Sequence, residues 1–258
     1  MLLSDKNQHP RDLKITFKEE GHVYTLKSDD TETVRHPISV TTIIHKYFPQ
    51  FNADIIIDKM MEKDNWFESP YFGMTKEEIK EKWQKNGNEA SSLGTLMHAD
   101  IERYLNDQDV LDDSTKEFGF FLEFWKDFSS LYPDFKPYRT EWLVYDESGP
   151  LCGSIDCILS DQHDNIMILD WKRSKEIKTS NREKGYPPFD NMDNCNLSHY
   201  QLQLNIYRHI LETKYDKNVI VMMLVIFHPN QSTYKCIKVE KIDIPEISTL
   251  VNSPPQNH

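Results

Sequence analysis

The sequence has no long hydrophobic run. Among its 258 residues the longest apolar stretch, residues 219–227, has nine members, about half of what a membrane-spanning helix needs. This stretch predicts a buried strand instead. Residues 1–14 also lack the apolar centre of a signal peptide. We therefore expect no membrane partner and an intracellular location, in the cytoplasm, the nucleus or a virus-infected cell.

Cysteines are few and widely spaced. The four of them, Cys152, Cys157, Cys195 and Cys236, form no CxxC pair. This spacing excludes the dense disulfide framework of a small secreted domain. We expect reduced thiols, as is usual inside cells.

Positive charge is in the minority. The chain has 30 lysines and arginines against 42 aspartates and glutamates, for a net charge of −12. This balance excludes a protein that coats nucleic acid with a basic surface. It leaves room for an enzyme with one local basic channel and a metal site rich in acids. A hydrophobic content of 38%, with clustered aromatic residues, indicates a folded protein with a well-solvated surface.

The order of helical and strand patterns predicts an α/β (α+β) fold. The chain has no internal repeat and no low-complexity linker, which favours a single domain over residues 1–258. Within it we predict an N-terminal hairpin extension, a helical region and a core, over residues 1–36, 37–92 and 93–245. Helices first, then a strand hairpin, then a helix and more strands suggest a central mixed β-sheet flanked by helices.

Helical periodicity appears in several segments of the chain. We predict helices over residues 37–48, 53–63, 75–86, 93–105, 114–132 and 197–212. In the fifth of these, four aromatic residues lie at helical spacing: Phe118, Phe121, Trp125 and Phe128. We interpret this stripe as core; the alternative is a platform on which bases stack.

Two acidic residues lie on neighbouring predicted strands. The segments GSIDCILS and NIMILDWK are separated by the turn-forming DQHD, and a turn centred on His163 pairs Asp156 with Asp170. Their Cβ atoms would then lie roughly 5 Å apart. A register slip of one residue would put the two carboxylates on opposite faces. Lys172 shares the face of Asp170, because side chains along a strand repeat every two residues.

Such a pair of carboxylates needs compensation. At about 5 Å and an effective dielectric near 20, the two charges repel by roughly 3 kcal/mol. Lys172 supplies part of the offset, and a divalent cation held between the acids would supply more. Hard oxygen ligands with positions left for water and phosphate describe a magnesium site. The alternative is a structural Asp–Lys pair on a partly exposed sheet face.

These residues resemble the signature of the PD-(D/E)xK nuclease superfamily. Gly153-Ser-Ile-Asp156, followed by Asp170-Trp171-Lys172, is similar to its RecB-type branch of lambda-type exonucleases. Within that branch the chain resembles the mitochondrial genome maintenance exonuclease group. Residues 37–44 and 83–105 resemble the N-terminal part of phage and viral exonucleases. The resemblance implies a restriction-endonuclease-like fold in which residues 93–245 form the catalytic core.

Two helical motifs extend the resemblance. GTLMHADIE, residues 94–102, resembles the branch's helical motif, which implies that His98 is a metal ligand. Glu102, four residues further on, lies on the same helix face. Gln203 and Tyr207 match a QxxxY motif, and Tyr200 falls on the same helix face. An amide between two tyrosines suits contact with phosphate, sugar or base. Taken alone, a helical histidine is more often not a ligand, and the second helix is more often simply amphipathic.

The resemblance also assigns the chemistry. It implies that Mg²⁺, for which Mn²⁺ can substitute, is held by His98, Asp156, Asp170 and the Trp171 backbone carbonyl. Lys172 would act with both aspartates in catalysis by orienting the attacking water and stabilising charge on the phosphate. Glu141, like Glu102, is expected to be a supporting residue. The cysteine spacing departs from the iron–sulfur members of the branch, so we expect no cluster.

Substrate binding is expected next to this site. Arg173 and Lys175 open a basic segment, residues 173–184, which suits phosphate contacts; the alternative is a solvated loop. Tyr200, Tyr207 and Trp171 are expected to offer surfaces on which unpaired bases stack.

The predicted function is therefore that of a metal-dependent DNA exonuclease. It would act from free ends, prefer single strands and serve DNA replication, recombination or repair. Two alternatives stay open: a structure-specific endonuclease of the same fold, and a non-catalytic nucleic-acid-binding protein.

Overall fold

The computed structural model of the chain describes residues 1–27 and 34–255. The chain divides into two compact units, one formed by Met1–Pro49 with Met97–His258 and the other by Gln50–Leu96. Helices flank a mixed β-sheet, which confirms the predicted α/β class. Within the described ranges, no helix has both the length and the apolar character needed to cross a membrane.

A small antiparallel sheet lies near the start of the chain. After helix α1 (Leu3–Lys6) and a 3₁₀ helix (Pro10–Lys14), strands β1 (Ile15–Lys18) and β2 (Val23–Lys27) pair, and β3 (Val34–Arg35) joins β2. The predicted N-terminal hairpin is confirmed. Gly21 and His22 both have positive φ angles in its turn, at 81° and 52°.

Side-chain caps mark the start of the helices that follow. Strand β4 (Ile38–Ser39) leads into α2 (Val40–Lys46), where Ser39 Oγ accepts from the Thr42 N–H at 3.1 Å. The second unit contains α3 (Ala53–Met61), a 3₁₀ helix (Trp66–Glu68) and most of α4 (Lys76–Leu105). At the start of α4, the Thr75 N–H donates to Glu78 Oε2 at 2.7 Å, as expected of a capping box.

Helix α4 corrects one prediction. The helices expected over residues 75–86 and 93–105 are a single helix of 30 residues. The intervening GNEASS contains no proline, and its one glycine, Gly87, weakens a helix by only about 1 kcal/mol. The break expected between the two helices was therefore wrong.

The main sheet is built from the second half of the chain. Besides β4, its strands are β5 (Lys136–Asp146), β6 (Leu151–Ser160), β7 (Asn165–Arg173), β8 (Asn218–Phe227) and β9 (Lys235–Lys238). Along the sheet the order is β4-β6-β7-β8-β9, with β5 paired to β6. The β7–β8 pair is parallel, and the crossover between these strands contains α6 (Asn196–Lys214).

Apolar side chains cover both faces of this sheet. One core cluster joins the sheet to α2, α6 and α7 (Ile247–Asn252), and the other joins it to α5 (Lys116–Leu131) and to the end of α4. Phe118, Phe121 and Phe128 are buried in the second cluster, and Trp125 packs against it. The aromatic stripe is therefore core, as predicted.

Strand β6 has an interrupted edge. Strand β5 pairs along one edge of β6 from Leu151 to Ser160. The opposite edge is shared, because β4 pairs only with Leu151 and Cys152 while β7 pairs only from Cys157 onward. In the described sheet, residues 153–156 therefore have no strand partner on that edge. The gap coincides with the GSID motif.

Gly153, in this gap, allows α6 to approach the sheet. A Cβ atom added to Gly153 would lie 2.5 Å from Tyr207 Oη and 2.7 Å from Tyr207 Cε1. Both distances are shorter than atoms tolerate without moving. The phenol ring of Tyr207 thus occupies the space that any side chain on residue 153 would need.

We predict that Gly153→Ala lowers the free energy of unfolding by about 1–3 kcal/mol, because the added methyl group displaces the buried Tyr207 ring. Urea unfolding followed by circular dichroism measures the loss. Gly119→Ala is the control: this glycine lies on an exposed face of α5, with nothing within 4 Å of an added Cβ. Equal stability changes in the two variants would contradict the packing argument.

Candidate metal centre

The hairpin of β6 and β7 has the predicted register. Its ladder ends with the pair Cys157–Leu169, which puts Asp156 and Asp170 next in the same register. Those two residues do not continue the ladder. Instead, the Trp171 N–H donates to Asp156 Oδ2 at 2.8 Å. The Asp156 carboxylate thus accepts the hydrogen bond that a backbone carbonyl of β6 would accept if the ladder continued.

Three potential ligands converge at this point. His98 from α4, Glu141 from β5 and Asp156 from β6 place one ligand atom each within 4.8 Å of one another. His98 Nδ1 lies 3.6 Å from Glu141 Oε1 and 3.6 Å from Asp156 Oδ2. The other ring nitrogen, Nε2, lies 3.0 Å from the Trp171 carbonyl oxygen. All four residues belong to the first unit.

Glu141, expected only to support the site, is one of these three residues. It has a positive φ of 42° in the middle of β5. The β5–β6 pairs on either side of it are Thr140–Cys157 and Trp142–Ile155, so Glu141 lies opposite Asp156. Such a conformation costs a non-glycine residue about 1 kcal/mol or more. Ser154 Oγ donates to Glu141 Oε2 at 2.8 Å and holds the carboxylate in place. The available sequence signal was a lone acid within the strand pattern RTEWLVY, residues 139–145.

Asp170 and Lys172 form an ion pair beside these ligands. Lys172 Nζ lies 2.6 Å from Asp170 Oδ2, and the two side chains are 17% and 3% exposed. This oxygen of Asp170 is shielded from solvent, and none of its contacts in the described chain has hydrogen-bond geometry. Lys172 Nζ also lies 4.7 Å from the centre of the Tyr200 ring. Asp170 is outside the three-ligand group, so its role as a ligand stays a prediction.

Burial and charge shift the pKa values of these groups. Burial raises the pKa of Asp156 to about 7; the two neighbouring carboxylates add to this, and His98 opposes it. Burial alone would lower the pKa of His98, but Asp156 and Glu141 outweigh it and raise that pKa to about 9. Burial also acts to lower the pKa of Lys172, yet Asp170 and Asp156 raise it above its usual value. The carboxylates therefore stabilise the protonated forms of His98 and Lys172, and a bound cation would be stabilised in the same way.

The donor set fits a divalent cation. Glu141, Asp156 and the Trp171 carbonyl offer hard oxygen atoms, which Mg²⁺ and Mn²⁺ prefer, and His98 adds a nitrogen. The Asp170 carboxylate lies nearby, but its Oδ2 is already paired with Lys172 Nζ. Glu102 is half-buried, and burial together with the Glu141 charge raises its pKa. Its role as a supporting residue stays a prediction.

Two predicted stacking surfaces are wrong. The Trp171 side chain is 1% exposed and packs in the core with Phe121, Phe124 and Phe227, so only its backbone faces the site. Tyr207 is 3% exposed and lies against the sheet. Alternation along β7 places Trp171 on the face opposite Asp170 and Lys172, and helices cover both faces of the sheet. Neither ring can stack on an unpaired base.

The remaining substrate-binding residues differ in their exposure. Arg173 Nε is 2.7 Å from Glu117 Oε1, so part of its guanidinium group is already paired. Lys175 is exposed, while Tyr200 and Gln203 are half-buried. Gln203 Nε2 donates to Tyr207 Oη at 3.5 Å, which links the two members of the QxxxY motif. A substrate contact by each of these four residues stays a prediction.

Comparisons with known proteins add little to this picture. No family model matches the chain, and no curated protein matches it. The crystal structure of SSO0001 is similar at 17% identity, over 53% of this chain and 60% of that chain, with a TM-score of 0.27. Less than two thirds of that protein is spanned, and a similarity this low supports no statement on fold or function.

We predict that the His98 ring, in protein kept metal-free by a chelator, titrates near pH 9 rather than at the ordinary value of about 6.5. Glu141→Gln removes one of the two charges responsible and should lower that pKa, while its amide can still accept from Ser154. Histidine-selective NMR, with the signal assigned by His98→Asn, measures the titration. Asp146→Asn is the control, since this buried aspartate is outside the ligand group. A pKa that Glu141→Gln leaves unchanged would contradict the proposed electrostatics.

Proposed function

We propose that the protein is a metal-dependent DNA exonuclease, a phosphodiester hydrolase that acts from free ends and prefers single strands. The observation that supports this most is the convergence of His98, Glu141 and Asp156 beside the Asp170–Lys172 pair. Chemically distinct groups from one helix and three strands meet where β6 lacks a partner. The resemblance to the PD-(D/E)xK nucleases adds the reaction class. Roles in DNA replication, recombination or repair follow from the same resemblance.

Different residues of the chain would hold the cation, act on the attacking water and contact the DNA. His98, Glu141, Asp156 and the Trp171 carbonyl would hold Mg²⁺ or Mn²⁺. When bound, the cation polarises the scissile phosphate and lowers the pKa of a water molecule. Lys172, fixed by Asp170, would orient the attacking water and stabilise negative charge that grows on the phosphate. Lys175 and the rest of the basic segment would contact the phosphates of the flanking strand.

The preference for ends rests on the resemblance of residues 37–44 and 83–105 to phage and viral exonucleases. The same site residues would serve a structure-specific endonuclease equally well, so DNA topology must separate these two functions. A non-catalytic nucleic-acid-binding protein would not need an intact Asp156, Asp170 and Lys172. The presence of all three favours an enzyme.

We predict that the purified protein with Mg²⁺ or Mn²⁺ progressively shortens end-labelled linear single-stranded DNA and spares a circle of the same sequence. Ca²⁺ should not support the reaction, because it accepts looser geometry. Asp156→Asn and Lys172→Gln keep the size of each side chain, and each should slow hydrolysis by at least about 100-fold. Gel electrophoresis of the products measures both effects.

Asp146→Asn again serves as the control and should keep the wild-type rate, because its carboxylate interacts with Ser148 and Lys214 rather than with the ligands. Equal cutting of circle and linear strand would favour the endonuclease. Full activity in excess chelator would refute the metal mechanism. Wild-type turnover in Lys172→Gln would show that the catalytic site lies elsewhere.

A further inference from the structure

A separate small cavity lies between α2 and the first half of α6. Its volume is about 180 Å³. The residues that line it are Thr41, Ile44, His45, Asn196, His199, Tyr200 and Gln203. Pockets for drug-sized molecules have about 300–1,000 Å³. The cavity therefore suits one flat ring system rather than a whole nucleotide.

The lining of the cavity combines polar groups with a slightly larger apolar surface, and none of the residues described for it carries a carboxylate, an ammonium or a guanidinium group. Two carboxamides, Asn196 and Gln203, each present both a donor and an acceptor. Ile44 and the Tyr200 ring add apolar surface. The lining has no ammonium or guanidinium group to bind a phosphate, and among the described residues its two histidines belong to no group of three potential metal ligands. It suits a neutral, planar ligand with donors and acceptors along its edge.

Several of these polar groups lack protein partners. Within residues 1–27 and 34–255, the Asn196 carboxamide makes no hydrogen bond, and that of Gln203 makes only the 3.5 Å contact with Tyr207. His199 Nε2 is shielded from solvent and has no hydrogen-bond partner in the same ranges. Burial, with a contribution from His45, lowers the pKa of His199 to about 4, so its ring is neutral near pH 7. Asn196 and Gln203 are half-buried, so their carboxamides are open both to solvent and to a ligand in the cavity.

Tyr200 connects this cavity to the candidate metal centre. Its ring lines the cavity and also lies beneath Lys172 Nζ, 4.7 Å from the ring centre. A DNA strand with a phosphate at Lys172 would therefore have a base close to the cavity, because only the Tyr200 ring separates Lys172 from it. Proteins read unpaired bases by stacking and by hydrogen bonds to the base edge.

We propose that this cavity binds one nucleobase of the DNA strand, on a nucleotide next to the bond that is cut. Asn196 and Gln203 would bond to the base edge, and Tyr200 would contact its flat face. The proposal rests on the proposed function, because it needs a strand at Lys172. It assigns Gln203 to the base rather than to phosphate or sugar.

The test measures affinity for single-stranded oligonucleotides of about eight nucleotides, a typical site size, by fluorescence anisotropy in Ca²⁺. Each oligonucleotide has one abasic position, moved along the strand. In the wild type one position should weaken binding about tenfold, the loss expected for one base contact, while the others change it little. Gln203→Leu and Asn196→Leu should each weaken binding of the intact strand and reduce that position's penalty to less than about twofold.

Gln201→Leu is the matched control: it lies on the same helix, outside the cavity lining, and should keep the tenfold penalty. Circular dichroism checks that α6 is intact in each variant. Binding with equal penalties at all positions, or an undiminished penalty in both leucine variants of the cavity, would overturn the base-binding inference and leave the exonuclease proposal standing. No binding of single strands at all would overturn both.

Discussion

The hydrogen bond from the Trp171 amide to the Asp156 carboxylate, at 2.8 Å, determines the rest of the site. Both backbone groups of Trp171 point to one edge of β7, and β6 has stopped pairing with that edge at Cys157. Buried backbone groups without partners are costly. The N–H is therefore satisfied by Asp156, and the carbonyl lies 3.0 Å from His98 Nε2. The end of a β-ladder thus brings two potential ligands and one backbone oxygen together.

The surrounding core makes this arrangement rigid. The Trp171 ring packs among Phe121, Phe124 and Phe227 on the α5 side of the sheet, which fixes the backbone that faces the ligands. On the other side, the close approach of Tyr207 to Gly153 brings α6 against the same gap in β6. Trp171 and Tyr207, both predicted to stack on bases, are instead buried in the packing that supports the site.

The sequence was sufficient to predict the hairpin, because a short polar turn between two apolar strands fixes their register, and with it the positions of Asp156 and Asp170. It could not reveal the burial of Tyr207, which depends on how α6 packs on the sheet. Nor could it show that Glu141 lies among the potential ligands, 3.6 Å from His98 Nδ1. That position follows from the β5–β6 register and from the positive φ of Glu141. Long-range pairing, rather than local pattern, decides both.

The central claim is that His98, Glu141 and Asp156 hold one divalent cation. Crystals grown with Mn²⁺ and measured near the manganese absorption edge test this most directly. The account predicts an anomalous peak about 2.1 Å from a ligand atom of each of the three side chains. A peak elsewhere, or no peak at saturating Mn²⁺ with the three side chains ordered, would contradict it.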